Sequence, residues 1–449
     1  MRPCPGNASS DVLKAVRRLI GARHADHLAI ARAMLSVAFF VLIGKAFGAV
    51  KEMAVAWRYG IGPEVDAYLF VFNLASWPVA IFYGAIYAAL LPVAAQVRAA
   101  QPAQLGRLRA EVLGTTLAAA AAATFVLAAA LQLLLHLELT GLPPAQAEIA
   151  ARMAWPLVLL VPLGWLATLW STWAMFEGRQ VNTLFEALPA VTVLAAVLLL
   201  GGEHALSWGT AAGFAAWALM AAWILRARGQ LEAPRLSHEV QAWPKLWHAL
   251  AAVLLAQAFS SAAAVVDQFF AASLGTGTLS TLGYASRILA LVLGLGSTAV
   301  GRAVLPVFAR VQAREPGKVR GMALRWALLM IAAGSLAAGA CALLGRPLTA
   351  LLFERGAFTA QDTHQVAELL RYGLLQVPFA FAGIVVTYAL HSLGRQRVVT
   401  GIALAGLCCK IGFNAVLVPS MGAAGLMAST ALATAAVLLL SARLLLSKT

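Results

Sequence analysis

The chain has 449 residues, 61% hydrophobic and only 11% charged, with a formal net charge of +15 and a mean hydropathy of +0.83. A soluble domain carries roughly 25% charged residues, so this chain cannot coat a water-exposed surface, and the bilayer must be its main solvent. The positive charge does not point to nucleic acid, because the basic residues fall in short gaps between apolar runs and form no clustered surface for a phosphate backbone.

Residues 1–27 contain the mixed basic and apolar stretch DVLKAVRRLIGARH (11–24) with no apolar core before it. That pattern predicts an amphipathic helix lying on the cytoplasmic face, not a cleavable signal. Apolar runs of about 20 residues, each enough to span a bilayer, follow at 28–48, 65–96, 110–135, 150–176, 181–201, 206–226, 246–274, 279–309, 322–344, 366–391, 397–418 and 422–446. Pro78 is expected to break or kink the second of them. Cys341, Cys408 and Cys409 lie in apolar runs at no metal-ligand spacing, so no metal or cofactor is expected.

With the N-terminus placed in the cytoplasm, roughly two-thirds of the 33 Lys and Arg residues fall in cytoplasmic gaps. The reverse orientation inverts that bias, so both termini are expected to be cytoplasmic. The second run ends ALLPVAAQVRA (89–99) and the eighth ends AVLPVFARVQA (303–313), each entering a basic loop. The implied unit is six helices; six is even, so the halves are parallel repeats. The expected architecture is an all-α polytopic membrane protein of about twelve helices in two six-helix lobes: 28–226, a cytoplasmic linker at 227–245, and 246–449.

An ionisable side chain at the centre of a lipid-facing helix costs about 2.5–3.5 kcal/mol, so interior charges face a cavity or a partner. In the eighth run Ser280, Tyr284, Arg287, Leu291, Gly294, Thr298 and Arg302 recur every three or four residues, on one helical face. Gln257, Ser260, Ser261, Asp267 and Gln268 do the same in the seventh, where Asp267 could pair with Arg287, as a structural ion pair or as part of a coupling-ion site. Asp66, Asn73, Trp77, Gly84 and Tyr87 share a broad face of the second; Asp66 there could also be a solvated edge carboxylate. Lys45, Lys51 and Glu52 cluster at the end of the first, where cations can hold a diphosphate or anchor the helix at the interface. Lys410 and Asn414 share a face of the eleventh run, and Glu186 lies near an end of the fifth. No HExxH, P-loop or nucleophile elbow occurs, and no enzyme is expected.

The stretches GKAFGAVKE (44–52), RYGIGPEVDAY (58–68), ALLPV (89–93), VVDQFFAASL (265–274), YASRI (284–288), AVLPV (303–307), LLFERGAFTAQDT (351–363) and NAVLVPSMGAAGL (414–426) resemble the MurJ (MviN) lipid II flippase family over nearly the whole chain from about residue 28. That resemblance implies the multidrug/oligosaccharidyl-lipid/polysaccharide exporter fold, with two lobes around a cationic cavity. It also implies transfer of a polyprenyl-diphosphate glycan across the inner membrane. The family's helix-two aspartate matches Asp66 and its helix-eight arginine Arg287. Its two helix-one arginines align with Lys45 and Lys51, and its following aspartate with Glu52. A helix-two arginine of the family aligns with Val79, a nearby glutamate with Gly84, and two further C-terminal helices are expected to be lacking after Thr449. Lipid II and an exopolysaccharide, capsule or O-antigen precursor both stay open as cargo.

The expected function is therefore alternating-access flipping of a polyprenyl-linked saccharide. Lys45, Lys51, Arg287, Arg302, Asn73 and Tyr284 are the expected cargo contacts, and Asp66, Glu52 and Asp267 the gating or coupling groups. Membrane lipids and a coupling ion are the other expected partners. The alternative on the same architecture is a cation-coupled multidrug-type antiporter; its cavity should be acidic, whereas this one is net basic.

Overall fold

The computed structural model describes residues 25–178, 182–314, 318–393 and 395–447, with side chains from Phe40 onward except at scattered positions that include Arg302. The expected amphipathic segment at 1–27 lies almost wholly outside the described residues. Fourteen helices longer than one turn account for nearly all of the rest: α1 (Ala25–Tyr59), α2 (Pro63–Ala100), α3 (Leu105–His136), α4 (Pro144–Val158), α5 (Leu160–Phe176), α6 (Leu188–Leu199), α7 (Gly202–Arg226), α8 (Trp243–Ala272), α9 (Thr278–Arg314), α10 (Lys318–Phe353), α11 (Ala360–Leu374), α12 (Val377–Ser392), α13 (Gln396–Met421) and α14 (Ala423–Leu446).

These make twelve passes, because α4–α5 and α11–α12 are each one pass broken in the middle. The breaks have one cause. Pro162 and Pro378 lack the N–H that would bond the carbonyl four residues back, and their rings collide with it. Those carbonyls belong to Val158 and Leu374, the last residues of α4 and α11. Pro78, like Pro92, Pro347 and Pro419, lies inside a continuous helix, so of the expected break or kink there is no break. The Pro78 carbonyl accepts from the Trp165 indole N–H at 3.1 Å, tying this stretch of α2 to α5. The fifth pass is also shorter than expected. Only 188–199 forms regular helix, after a single turn at Asn182–Phe185. Among the described residues nine passes are long and apolar enough to cross a membrane; α1, α6 and α9 complete the twelve.

Successive turns alternate between two ends of the bundle. At one end Tyr59 donates to the Gly202 carbonyl at 2.7 Å, and the Ala357 N–H donates to the Trp57 carbonyl at 2.8 Å. At the other end Arg109 reaches Glu177 at 2.6 Å and Arg395 reaches the Leu444 carbonyl at 2.7 Å. We call these the gate end and the linker end. The leucines left exposed on α10, such as Leu336, Leu343 and Leu351, form the surface that lipid covers.

Helices α1–α7 pack mainly among themselves, as do α9–α14. Helix α8 joins the two groups. Trp243, Leu246 and Leu250 at its start pack on α2 and α3, while its far end meets α13. The linker before it is not a free strap. The Arg235 N–H donates to the Ala110 carbonyl at 2.9 Å, and Gly114 lets the linker backbone lie directly on α3, since a Cβ there would sit 2.2 Å from the Arg235 oxygen.

Candidate functional site

Between the two groups lies a cavity of about 450 Å3, walled by α2, α8, α9, α14 and Gln376 at the break between α11 and α12. Asn73, Asp267, Gln268, Arg287 and Thr430 face it, among Phe72, Leu282, Leu293, Leu426 and Met427. Four residues singled out by helical periodicity, Asn73, Asp267, Gln268 and Arg287, are thus brought to one space. The Gln268 side-chain oxygen is buried and has no hydrogen-bond partner among the described residues.

Arg287 does not stand alone. Its Nε lies 2.6 Å from Glu52 Oε2, and the other Glu52 oxygen pairs with the neighbouring Lys51. The side chains of Glu52 and Lys51 are 14% and 16% exposed and that of Arg287 29%. Two cations share one carboxylate, so the cluster keeps one net positive charge in a largely desolvated place, where it acts over longer range than in water. The Arg287–Glu52 pair also bridges the molecule, since α9 belongs to one group of helices and α1 to the other. Lys45, about two turns back along α1, is exposed. The side chain of Arg302 lies outside the described residues.

Above the cavity, at the gate end, Asp66 is fully buried. Its carboxylate accepts from the Gly277 N–H, from the Ser280 N–H at 2.7 Å, and from Gln146 at 3.4 Å. Gly277 and Ser280 flank the start of α9, so Asp66 of α2 caps α9 from across the interface. A carboxylate there satisfies orphan N–H groups and complements the helix dipole. The solvated-edge alternative for Asp66 is thereby replaced by a buried cap.

Tyr284 is 1% exposed; its hydroxyl donates to the Gly60 carbonyl at 3.1 Å and its ring packs against Phe353 and Phe358. The structure therefore places it in the gate packing and not on the cavity wall, which corrects the expected cargo contact. Gly60, at φ +59°, takes a conformation that side chains disfavour, and a Cβ on it would meet the Ala357 oxygen at 2.5 Å. The loop 354–359 is thereby seated on the α1–α2 turn.

Asp267 does not pair with Arg287. It meets Lys410 at 3.0 Å and accepts from Asn414 at 2.8 Å. Glu186 accepts from Tyr83 at 3.2 Å, away from the cavity lining. Val79 is buried against Gly164 of α5, where a Cβ would lie 2.6 Å from a Val79 methyl. Below the cavity Trp77 donates to Ser261 at 2.8 Å, and Gly84 allows Gln257 to approach within what would be a Cβ clash at 2.2 Å. These contacts bring α2 and α8 together.

One structural residue escaped the sequence. Glu111, fully buried on α3, accepts from Ser237 at 2.9 Å, the Glu239 N–H at 3.2 Å, the Val240 N–H at 3.3 Å and Trp243 at 2.6 Å. Its signal was a lone carboxylate in the opening turns of an apolar run, RLRAEVLG (107–114).

Twelve passes in two helix groups, joined by α8 and enclosing a charged cavity, define a polytopic α-helical membrane protein. A family profile described as lipid II flippase MurJ matches residues 55–448, and the chain belongs to that family as a multi-pass inner-membrane protein. It is similar to the lipid II flippase MurJ of Burkholderia cenocepacia, 26% identical over 421 residues covering 88% of this chain and 80% of that one. A probable lipid II flippase MurJ of Bdellovibrio bacteriovorus is 30% identical over 232 residues, which are 50% of this chain and 43% of the relative. Among solved structures, a lipid II flippase MurJ in an inward closed conformation superposes with a TM-score of 0.76 at 16% identity, covering 90% of this chain and 86% of that one. An inward-facing multidrug resistance MATE transporter of the MOP superfamily gives 0.68 at 13% identity, covering 92% and 97%. Both structural likenesses speak to the fold.

Proposed function

We propose that this chain flips a polyprenyl-diphosphate-linked saccharide, lipid II or an exopolysaccharide or O-antigen precursor, by alternating access across the inner membrane. The linker end, where the basic residues collect, faces the cytoplasm in this reading. The observation that carries the proposal is the Lys51–Glu52–Arg287 cluster: two cations sharing one carboxylate where the helix groups meet. A diphosphate brings more negative charge than Glu52 and can take Arg287 bidentately. Its arrival would compete with Glu52 and loosen the bridge between α1 and α9. Lys45 would add a third cation, Asn73 and Gln268 would meet the sugar, and Arg302 would draw the headgroup along α9. The prenyl tail stays in lipid throughout.

Asp66 then serves as the gate latch, because the α9 cap must be released for the gate end to open. The multidrug-type alternative has the fold in its favour, but a cationic drug entering here would face an excess of positive charge. No chemical bond changes in this cycle, so the protein acts as a transporter and not an enzyme.

The test is reconstitution of the purified chain in liposomes with a labelled polyprenyl-diphosphate disaccharide in the inner leaflet. Protein-dependent exposure to an external reagent is expected, lost in Arg287→Ala and slowed in Arg287→Lys, which keeps the charge but not the fork. Equal exposure with all three proteins would reject the cluster as the headgroup site.

A further inference from the structure

The second charged cluster of the C-terminal helices is not needed to hold a diphosphate. Lys410 of α13 is 3% exposed. Its ammonium lies 3.0 Å from Asp267 Oδ1 of α8, and 2.9, 2.8 and 2.5 Å from the Leu426 carbonyl, Ser429 Oγ and Thr430 Oγ1 of α14. Asn414, one turn along α13, donates to the same Asp267 oxygen and accepts from Ser429.

An ammonium has three N–H donors, yet four oxygens from two helices close on this one. A carboxylate, a main-chain carbonyl and two hydroxyls are the donor set that hard cations select. Asp267, Leu426 and Thr430 also line the central cavity. A cation that entered the cavity would meet these oxygens if the amine were not among them.

We propose that the Lys410 ammonium is a tethered counter-cation filling an oxygen-lined cation site between α8, α13 and α14, and that it bars alkali-metal cations from that site. Asp267 is then neutralised from within the chain, and the C-terminal helices run their conformational cycle with no metal ion bound between them. This goes beyond the flippase reading and does not depend on the identity of the cargo.

The test uses the full-length protein in detergent, with its thermal midpoint read in lithium, sodium, potassium and choline chloride at equal ionic strength. The wild type is expected to give the same midpoint in all four. Lys410→Ala leaves the oxygens facing a void, and its midpoint is expected to rise by a few degrees, saturably, in at least one alkali chloride relative to choline. Adding Asp267→Asn to that variant should remove the rise. A saturable, cation-specific rise in the wild type that Asp267→Asn abolishes would overturn the proposal. So would a folded Lys410→Ala protein indifferent to all four salts. If Lys410→Ala folds in none of them, the wild-type comparison decides: indifference supports the tethered cation and a cation-specific rise rejects it. The readout is binding, so its failure is separate from a failure of lipid flipping.

Discussion

At the scale of single residues, the site works by sharing charge. Glu52 holds Lys51 and Arg287 together, and Asp66 holds the start of α9. Removing either carboxylate should act on the gate in a defined direction. Asp66→Asn keeps the size but gives up the negative charge at the start of α9, worth about 1 kcal/mol, so the ratio of closed to open gate should fall about fivefold. The rate at which an externally added thiol reagent modifies Ala285→Cys, buried next to Tyr284 in the gate packing, reports this: it should rise in Asp66→Asn, and an unchanged rate would separate Asp66 from the gate. Periodicity alone brought Asp66, Asp267 and Arg287 to notice, because each sits on a polar stripe in an apolar run. Their partners were hidden for different reasons. Asp66 bonds main-chain N–H groups, which every residue carries. Asp267 chose Lys410 over Arg287 because of how α8 is rotated, which a pattern of apolar residues with many small alanines leaves undetermined.

At the scale of helices, proline position explains where two passes break, and glycine position explains where helices touch. Gly334 of α10 faces Pro378 of α12, whose Cα would lie 2.7 Å from an added Cβ. The contact is backbone to backbone and cannot give by a rotamer change, so Gly334→Val should lower the thermal midpoint by several degrees, the overpacking cost being about 1–3 kcal/mol. An unchanged midpoint would show that α12 has room to move. The linker makes a second case. Glu111→Ala leaves the Trp243 indole, Ser237 and two main-chain N–H groups without their acceptor, so the segment around Arg235 should come off α3. Limited trypsin digestion should then cut at Arg235 several-fold faster than in the wild type, whereas an unaltered rate would mean that apolar contacts of Trp243 and Leu246 hold the linker by themselves. Most helix positions followed from runs of about 20 apolar residues. The extension of α1 to Tyr59 did not, because Lys51, Glu52 and Arg58 look like the end of a span until the pairing of Glu52 with Lys51 and Arg287 is known.

At the scale of the whole molecule, two helix groups enclose one cavity, with a cluster of one net positive charge at its wall. Twelve passes bring both chain ends of the described bundle to the linker end, and α8 packs along both helix groups, so rocking of the groups must bend or slide α8 against α2 near Trp77 and Gly84. The gate end is closed by three independent contacts, the Asp66 cap, the Tyr284–Gly60 bond and the seating of loop 354–359 on the α1–α2 turn. In the proposed cycle a cargo that freed Arg287 from Glu52 would remove only the bridge beneath them, leaving release of the gate as a second step. The proposed function requires a polyprenyl-diphosphate glycan to pass through this cavity. The most direct measurement is depletion of the protein in its host, followed by assay of which lipid-linked glycan builds up in the cytoplasmic leaflet, with wild-type and Arg287→Ala copies supplied in trans. One polyprenyl-linked saccharide should accumulate, the wild-type copy should clear it and Arg287→Ala should not. No accumulation of any lipid-linked glycan, or full clearance by Arg287→Ala, would contradict the proposed function.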